Sequence, residues 1–480
     1  MQITLLIAVR TWKTVLQNRA AAALTLLLGI ILCIATWIGW QHFKTQQQQQ
    51  QHYKSIVREQ WESKPDKHPH RMAHYGYLVF RDKHELSFFD FGIEQFAGVS
   101  IFLEAHKQNT ANFSEAGFSN GMLRFGELSV AMVLQLLVPL LIFFLGFNSI
   151  AAERESGALK ILLCQGISWR QLLAGKMLGI IGVAFTLFIP VILLTILLWA
   201  ALSHWHVSAD AALRLLLLVV SYAVYFIICA GIAVLVSAFS STSRAALTTL
   251  LGCWVFFLVI LPRLTQAIGA RLYPSPAKIE FAAAVEADLH REGDSHNPDD
   301  PHYAQLKSSL LQQYGVDDVK KLPFNYSGYV MAEGEKISAA IYDRHQQQLI
   351  DIYERQNHFT MAAGFLNPYL AIRHLSMALT GADFTTYADF QQQAESYRYQ
   401  LAQRMNSLQM KYISNETPAA NDKPAAISHD HWKEMPDFTF HFRKTGQVLP
   451  TQTATITALL GWLVLVLAGV QLASRFVKTL

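Results

Sequence analysis

Two short runs of histidines have the spacing that could bind a metal in this chain. The run HPH places His68 and His70 close to His74, and the run HDH contains His429 and His431. Imidazoles spaced in this way can bind copper or zinc. No cysteine or methionine cluster accompanies them, and the long polar segments that contain them hold most of the other polar residues as well. We therefore predict no metal or other cofactor in this chain. If a metal does bind, these five histidines are the candidate ligands.

No constellation for catalysis is evident. The run SHDHW supplies serine and histidine without a nucleophile elbow, and the carboxylates form no recognisable acid–base pair. A P-loop requires Gly-x-x-x-x-Gly-Lys followed by Ser or Thr. Here Gly175 and Lys176 are followed by Met177, and Arg170 stands where the first glycine belongs. We predict that the chain is not an enzyme and hydrolyses no ATP itself.

The composition predicts a membrane protein. Hydrophobic residues make up 52% of the 480 residues and charged residues only 15%, which is unusual for a soluble protein of this length. About 20 apolar residues cross the hydrocarbon core of a bilayer. Six runs approach this length, and the first has no signal-peptide cleavage pattern, so we expect it to be retained. The predicted spans are 20–40, 128–150, 177–202, 212–239, 245–261 and 453–473.

Lysine and arginine next to these spans predict the orientation. They precede the first span, separate the second from the third and the fourth from the fifth, and follow the sixth. The positive-inside rule therefore places both termini in the cytoplasm. The predicted cytoplasmic segments are 1–19, 151–176, 240–244 and 474–480, and the predicted outer segments are 41–127, 203–211 and 262–452. The net charge of +4 gives no indication of nucleic-acid binding.

Helices dominate the secondary structure that we predict outside the spans. Residues 1–19 have the pattern of an interfacial amphipathic helix, or alternatively of a simple extension of the first span. The glutamine-rich run after that span continues it as a polar helix up to Pro65, or forms a flexible linker. HYGYLVF and GVSIFLEAH have the pattern of short strands or extended segments, and FTFHF has that of an edge strand. Four longer runs between residues 276 and 412 have helical periodicity, which predicts a mainly helical outer domain.

The segment AAERESGALKILLCQGISWRQLLAGK, residues 151–176, is too structured for a plain connector. Glu153 and Glu155 suit the start of a helix, and leucines follow at helical spacing. Gly166 interrupts the pattern, and SWRQ is a capping box that starts a second helix. These residues alone are consistent with a docking surface, and equally with helices that merely seat the spans at the inner surface.

This segment resembles the motif that follows the second span of ABC-2 type permeases, Glu-Arg-Glu-x-Gly-x-Leu followed by Arg-x-Leu-x-x-Gly-Lys. The runs PHRMAHYGYLVF, LSFFDFGIEQFAGVSIFLEAHKQN and LNPYLAIRHLSMALTGADFTTYADFQQQAESYRYQLAQRMN resemble the DUF3526 subgroup of that family. The resemblance implies an α-helical polytopic fold with six spans, of type V exporter-like ABC-2 architecture, plus the outer domain. It implies a coupling helix on an ATPase, formed by Glu153, Arg154, Glu155, Gly157, Leu159, Leu162 and Gly166, with Arg244 as a second contact.

The same resemblance implies the partners. Two copies of a cytoplasmic ABC ATPase would bind ATP and Mg²⁺, and a second permease chain, identical or paralogous, would complete the complex in the bilayer. Export of an unknown cargo is the expected function. Pro139 and Pro190 lie inside spans and could ease movement, although a structural kink is the simpler interpretation. A different hypothesis is a transmitter that moves its outer domain against a periplasmic partner and carries no cargo.

Overall fold

The computed structural model describes residues 2–94, 96–111, 128–203, 205–293, 297, 300–416 and 425–476. These residues are mostly helical. The helices are α1 Gln2–Gln17, α2 Arg19–Glu62, α3 Pro69–Ala73, α4 Val130–Met132, α5 Val138–Gly146, α6 Ala151–Glu155, α7 Ala158–Cys164, α8 Trp169–Leu202, α9 Ala209–Phe239, α10 Ser243–Val255, α11 Leu261–Leu272, α12 Lys278–Glu292, α13 Pro301–Tyr314, α14 Tyr326–Ala362, α15 Pro368–Leu379, α16 Phe384–Tyr412, α17 Asp430–Lys433, α18 Thr445–Thr451 and α19 Thr453–Phe476. Short 3₁₀ helices occupy Val319–Lys321 and Ala363–Phe365.

Among the described residues, six helical segments are long and apolar enough to cross a membrane, as predicted. We call them spans 1 to 6: Arg19–Glu62, Val130–Glu155, Trp169–Leu202, Ala209–Phe239, Ser243–Leu272 and Thr453–Ala473. Span 4 packs at the centre, where Tyr222, Tyr225 and Phe226 are almost completely buried. Span 5 continues to Leu272, beyond the predicted end at residue 261, because polar residues join its last turns without breaking the helix.

Helix α1 is separate from span 1. Asn18 interrupts the helix and caps α2, where its side chain accepts hydrogen bonds from the amides of Ala20 and Ala21. One face of α1 packs on span 3 at Gly175 and Gly179, where an added Cβ would collide with Ile7 or Thr11. Leu5, Leu6 and Val9 on the other side stay exposed. The break argues against a simple extension of span 1.

Two π-helical turns interrupt spans 2 and 5, at Val133–Leu137 and Phe256–Ile260. Each is followed by a proline, Pro139 in α5 and Pro262 in α11. A proline offers no N–H to the preceding turn and its ring crowds a carbonyl there, so a wider turn relieves the clash. Pro190 instead lies inside α8, which remains one helix through it.

Side chains from other helices satisfy the carbonyls next to these π turns. The Tyr225 hydroxyl donates to the Gln135 carbonyl at 3.1 Å, and the Trp254 indole donates to the Leu136 carbonyl at 2.9 Å. In span 5 the Asn367 amide donates to the Phe257 carbonyl at 2.6 Å. Asn367 also caps α15, an amphipathic helix that the sequence analysis did not predict as a separate element. Helix α15 packs against spans 4 and 6 and brings part of the polar sequence into the bundle core.

The described residues of 41–111 and 273–444 form what we call the polar domain. Its strands β1 Tyr77–Phe80 and β2 Ser100–Leu103 lie within the two runs whose pattern predicted strands, and they pair antiparallel, with Tyr77 opposite Leu103. Trp61 and Trp432 are buried in its core with residues of β1, β2 and α16. Both long polar segments therefore build one hydrophobic core.

Helix α2 connects this core directly to the bundle. Its 44 residues span about 66 Å at 1.5 Å per residue, and Trp61 near its end donates to the Trp432 carbonyl at 3.1 Å. The prediction of a continuous helix is confirmed, and a flexible glutamine linker is excluded for this stretch.

FTFHF, residues 438–442, is not an edge strand, so that prediction was wrong. Its alternation is real, because Phe440 is buried against Phe390 while Phe438 and Phe442 are half-buried. The backbone of His441, however, exchanges both hydrogen bonds with the Gln393 side-chain amide, at 2.9 Å each. A side chain thus replaces the neighbouring strand that alternation alone suggests.

A buried ion pair joins α14 and α16 in the polar domain. Glu335 is fully buried, and its carboxylate accepts from Arg398 at 2.6 Å. Burial alone would raise the pKa of the Glu335 carboxyl, but the hydrogen bond from His106 and the charge of Arg398 outweigh it and lower that pKa to about 2. Glu335 is therefore ionised at neutral pH. Arg398 also pairs with Glu395 at 2.7 Å, so these three side chains form one charge network.

We predict that Trp61→Ala unfolds or loosens the polar domain, whereas Trp37→Ala does not. Trp61 is 1% exposed and Trp37, on the same helix, is 57% exposed. Loss of a buried tryptophan costs about 3–5 kcal/mol. Thermal unfolding and limited proteolysis of the detergent-solubilised chain measure the effect, and equal behaviour of the two variants would contradict the packing described here.

Candidate functional site

The charged loop between spans 2 and 3, residues 151–176, contains two short helices and a bend. Helix α6 ends before Gly157 and α7 ends before Gly166, and both glycines have positive φ, 75° and 88°. An L side chain rarely adopts this conformation, so glycine permits each reversal. The predicted capping box is confirmed: Ser168 Oγ accepts from the Gln171 amide, and the Gln171 side chain accepts from the Ser168 amide.

Arg154 and Glu155 bind the two sides of the turn that joins spans 4 and 5. The Arg154 guanidinium donates to the Ala238 carbonyl at 2.7 Å and to the Ser240 carbonyl, at the C-terminal end of α9. A cation suits the unpaired carbonyls of a helix end. Glu155 accepts from the Ser243 amide at 3.1 Å and from its hydroxyl at 2.6 Å, at the start of α10. We call this arrangement the 154–155 clamp.

Glu153 lies in the first turn of α6, as predicted. Glu155 is instead the last residue of α6 and contacts the N-terminus of α10. Glu153 pairs with Lys176 in the first turns of span 3. The three charges of the motif thus connect span 2 to spans 3, 4 and 5.

Ser237 is a further residue of this site that the sequence analysis missed. It is completely buried in span 4, where its hydroxyl accepts from the amides of Ile150 and Ala151 at 3.0 and 3.1 Å and donates to the Phe147 carbonyl at 2.8 Å. It satisfies the first amides of α6 in place of an N-cap. A lone serine in an apolar helix gives no signal of this role, because its partners come from another span.

The leucines of α7 face the protein. Leu159 is 1% exposed, and Leu162 is half-buried against the main core. The opposite face carries Lys160 and Ile161, and the Ile161 side chain is 61% exposed. Arg244 is also exposed, one residue after the serine that Glu155 binds. Leu159 and Leu162 therefore support the loop from inside, and the exposed face of α7 lies around Ile161.

The candidate histidines separate into different environments. His68 caps α3, where its ring accepts from the His70 amide at 3.3 Å. His429 contacts the Asp66 carboxylate at 2.9 Å, and His431 packs on Tyr412. His70 and His74 instead lie with a third residue, His106, and each of the three offers a ring nitrogen within 4.8 Å of the others. His106 follows β2, far from the HPH run along the chain, so no spacing pattern groups it with His70 and His74.

Two comparisons with protein families cover most of this structure. Residues 99–270 match the family model of ABC-2 family transporter protein, and residues 278–441 match that of a domain of unknown function, DUF3526. The chain therefore contains an ABC-2 family transporter domain followed by a DUF3526 domain. The first match includes the whole charged loop and its partners in spans 3 to 5, and the second covers most of the helical part of the polar domain. No curated protein matches the chain in sequence.

The suspected family is therefore confirmed. Membership makes this ABC-2 protein a membrane permease subunit of an ABC transporter, a class whose members work with an ATPase partner. The charged loop is the part of the protein where such a partner is expected.

We predict that Ser237→Ala destabilises the protein by about 1–3 kcal/mol, because two buried amides lose their acceptor. Ser240→Ala is the matched control, since the Ser240 hydroxyl bonds only to the Val236 carbonyl of its own helix. Thermal unfolding in detergent compares them. A Ser240→Ala variant as unstable as Ser237→Ala would show that loss of any hydroxyl in this region has the same effect.

Proposed function

We propose that this chain is the transmembrane subunit of an ATP-driven exporter, in which a separate ATPase drives movement of a cargo across the bacterial inner membrane. The observation that carries the proposal is the 154–155 clamp. It joins the exposed α7 region to both helices of the turn between spans 4 and 5. A force applied to α7 would therefore reach three neighbouring spans through hydrogen-bonded contacts.

In this proposal the charged loop faces the cytoplasm, with both termini on the same side. The cations next to the spans favour that orientation, and the exposed apolar side chains of α1 suit the membrane interface. Two ATPase copies would bind ATP and Mg²⁺ and contact the loops of two permease chains. Spans 1, 5 and 6 are the least buried within the chain, which leaves surface for lipid and for a second permease chain.

The residues of the loop would have distinct roles. The surface around Ile161, with Arg244 nearby, would contact the ATPase. Arg154 and Glu155 would transmit movement to spans 4 and 5, and Glu153 would do so to span 3 through Lys176. Gly157 and Gly166 permit the bends that separate α7 from the helices on either side.

We predict that Ile161→Asp weakens association with the ATPase by roughly thirtyfold or more, the loss expected for a hot spot worth about 2 kcal/mol. Ile279→Asp is the matched control, because Ile279 is 78% exposed on α12, far from the loop in sequence. The tagged chain is purified from gently solubilised membranes, and co-purifying subunits are identified and counted.

The two variants should have equal thermal stability, since both side chains are exposed. An ATPase that stays bound to Ile161→Asp would place the docking surface elsewhere. A wild-type chain that purifies without any ATPase would contradict the exporter proposal itself.

The transmitter hypothesis also has an observation in its favour. Helix α2 runs without a break from span 1 into the core of the polar domain. A movement of the bundle would therefore reach the polar domain along a stiff helix, and a periplasmic partner could respond to it without any cargo crossing the membrane.

We predict that Gln48→Pro separates the polar domain from ATP-driven movement, because a proline inside a helix costs about 3 kcal/mol or more and breaks its continuity. Gln48 is exposed on α2, and Gln48→Ala is the control. The measurement is the protease sensitivity of the polar domain in proteoliposomes with the bound ATPase, with and without ATP. A polar domain that responds equally in both variants would rule out α2 as the transmitting element.

A further inference from the structure

Three histidines from two parts of the polar domain meet at one place. His70 lies in α3 and His74 follows it by one helical turn, so their rings share a face. Their Nε2 atoms are 3.2 Å apart. His106 comes from the segment after β2, and its ring centroid lies 5.7 Å from that of His70 and 5.3 Å from that of His74.

The spacing of the nitrogen atoms suits a tetrahedral metal ion. Zinc binds imidazole nitrogens at about 2.0–2.1 Å, which sets neighbouring ligand nitrogens of a tetrahedron about 3.3 Å apart. The Nε2 atoms of His70 and His74 already have nearly this separation. Each of the three histidines offers one ring nitrogen that lies within 4.8 Å of those of the other two. A small rotation of the His106 ring would complete a three-imidazole face.

The surroundings of His106 provide a second, independent observation. Its Nδ1 lies 3.1 Å from Glu335 Oε2, and its backbone amide donates to the same oxygen at 2.9 Å. A ring held at Nδ1 by a carboxylate presents Nε2 outward, which is how metal-binding histidines are usually oriented. Arg398 in turn holds the other oxygen of Glu335. His106 also has a positive φ of 62°, a conformation that is uncommon for residues other than glycine.

We propose that His70, His74 and His106 bind a divalent transition-metal ion, with zinc as the best-fitting ion and copper as the other member of this ligand class. Three imidazoles leave a fourth position for an exchangeable ligand. Glu335 is a positioning residue that orients His106 without touching the metal. The bound ion would connect α3 to the segment after β2 and, through Glu335, to α14, and so would stabilise the polar domain.

The chemistry of the donor set excludes the hard cations. Calcium and magnesium prefer oxygen ligands, whereas imidazole suits zinc, copper and nickel. This proposal is independent of ATP coupling and of any cargo, because it concerns only residues of the polar domain. Its failure would leave the exporter proposal untouched.

The test uses the full-length chain in detergent, stripped with a chelator and titrated with Zn²⁺ or Cu²⁺. Bound metal is counted after equilibrium dialysis, and the thermal midpoint is measured with and without metal. We expect one Zn²⁺ or Cu²⁺ per chain and a higher thermal midpoint with it, since an ion that binds only the folded state stabilises that state. X-ray absorption of the loaded protein should show imidazole scattering.

The variants are His74→Ala and His106→Asn, because asparagine tolerates the positive φ at position 106. Each should lose stoichiometric binding and the thermal shift. Glu335→Gln should weaken metal affinity by about 10–100-fold. His429→Ala is the matched control, since its ring contacts Asp66 and lies outside the cluster, and this variant should bind like the wild type.

Two results would overturn the proposal. One is a wild-type protein that binds no more metal than the His74→Ala variant, in which case the short contact between His70 and His74 is only a hydrogen bond. The other is binding that persists in His106→Asn and disappears in His429→Ala, which would place the metal at the HDH run. If His106→Asn unfolds, the exposed His74→Ala variant and the absorption spectrum still decide the matter.

Discussion

The structure depends on the rule that a membrane interior offers no water to unpaired backbone groups. Pro139 in span 2 and Pro262 in span 5 have no N–H to donate to the preceding turn. Carbonyls in the π turns beside them therefore need donors from elsewhere. Tyr225, Trp254 and Asn367 supply those donors from other elements. The hydrogen bonds that satisfy these carbonyls join different helices. They therefore help to determine how spans 2, 4 and 5 and helix α15 pack together.

The 154–155 clamp applies the same logic at the end of the bundle that carries the charged loop. There the last carbonyls of α9 and the first amide of α10 need partners, and Arg154 and Glu155 provide them. Charges that appear available for a partner protein are therefore occupied within the chain. The face of α7 that points away from the core, with Ile161 at its centre, stays exposed.

Sequence patterns predicted the six spans, the two strands, the capping box at Ser168 and the longer helices, because periodicity and caps are local signals. They failed where a partner comes from a distant segment. FTFHF alternates like a strand but pairs with the Gln393 side chain, and α15 supplies Asn367 to a turn 110 residues earlier. The roles of Ser237 and His106 were hidden for the same reason. Helical periodicity predicted that Leu159 lies on an apolar face of its helix. It could not predict that this face packs against the core of the bundle.

A second chain of hydrogen bonds links the bundle to the polar domain. The Gln135 amide donates to the Tyr222 hydroxyl at 2.7 Å, this hydroxyl contacts Ser376 Oγ at 3.0 Å, and Ser376 donates to the buried Asp90 carboxylate. Spans 2 and 4 are thus joined at the charged loop by the clamp and again near the polar domain by this network. Sliding one span past the other would break buried polar contacts at both places. Movement of spans 2 and 4 as one unit, together with the part of the polar domain that contains Asp90, keeps every one of these bonds.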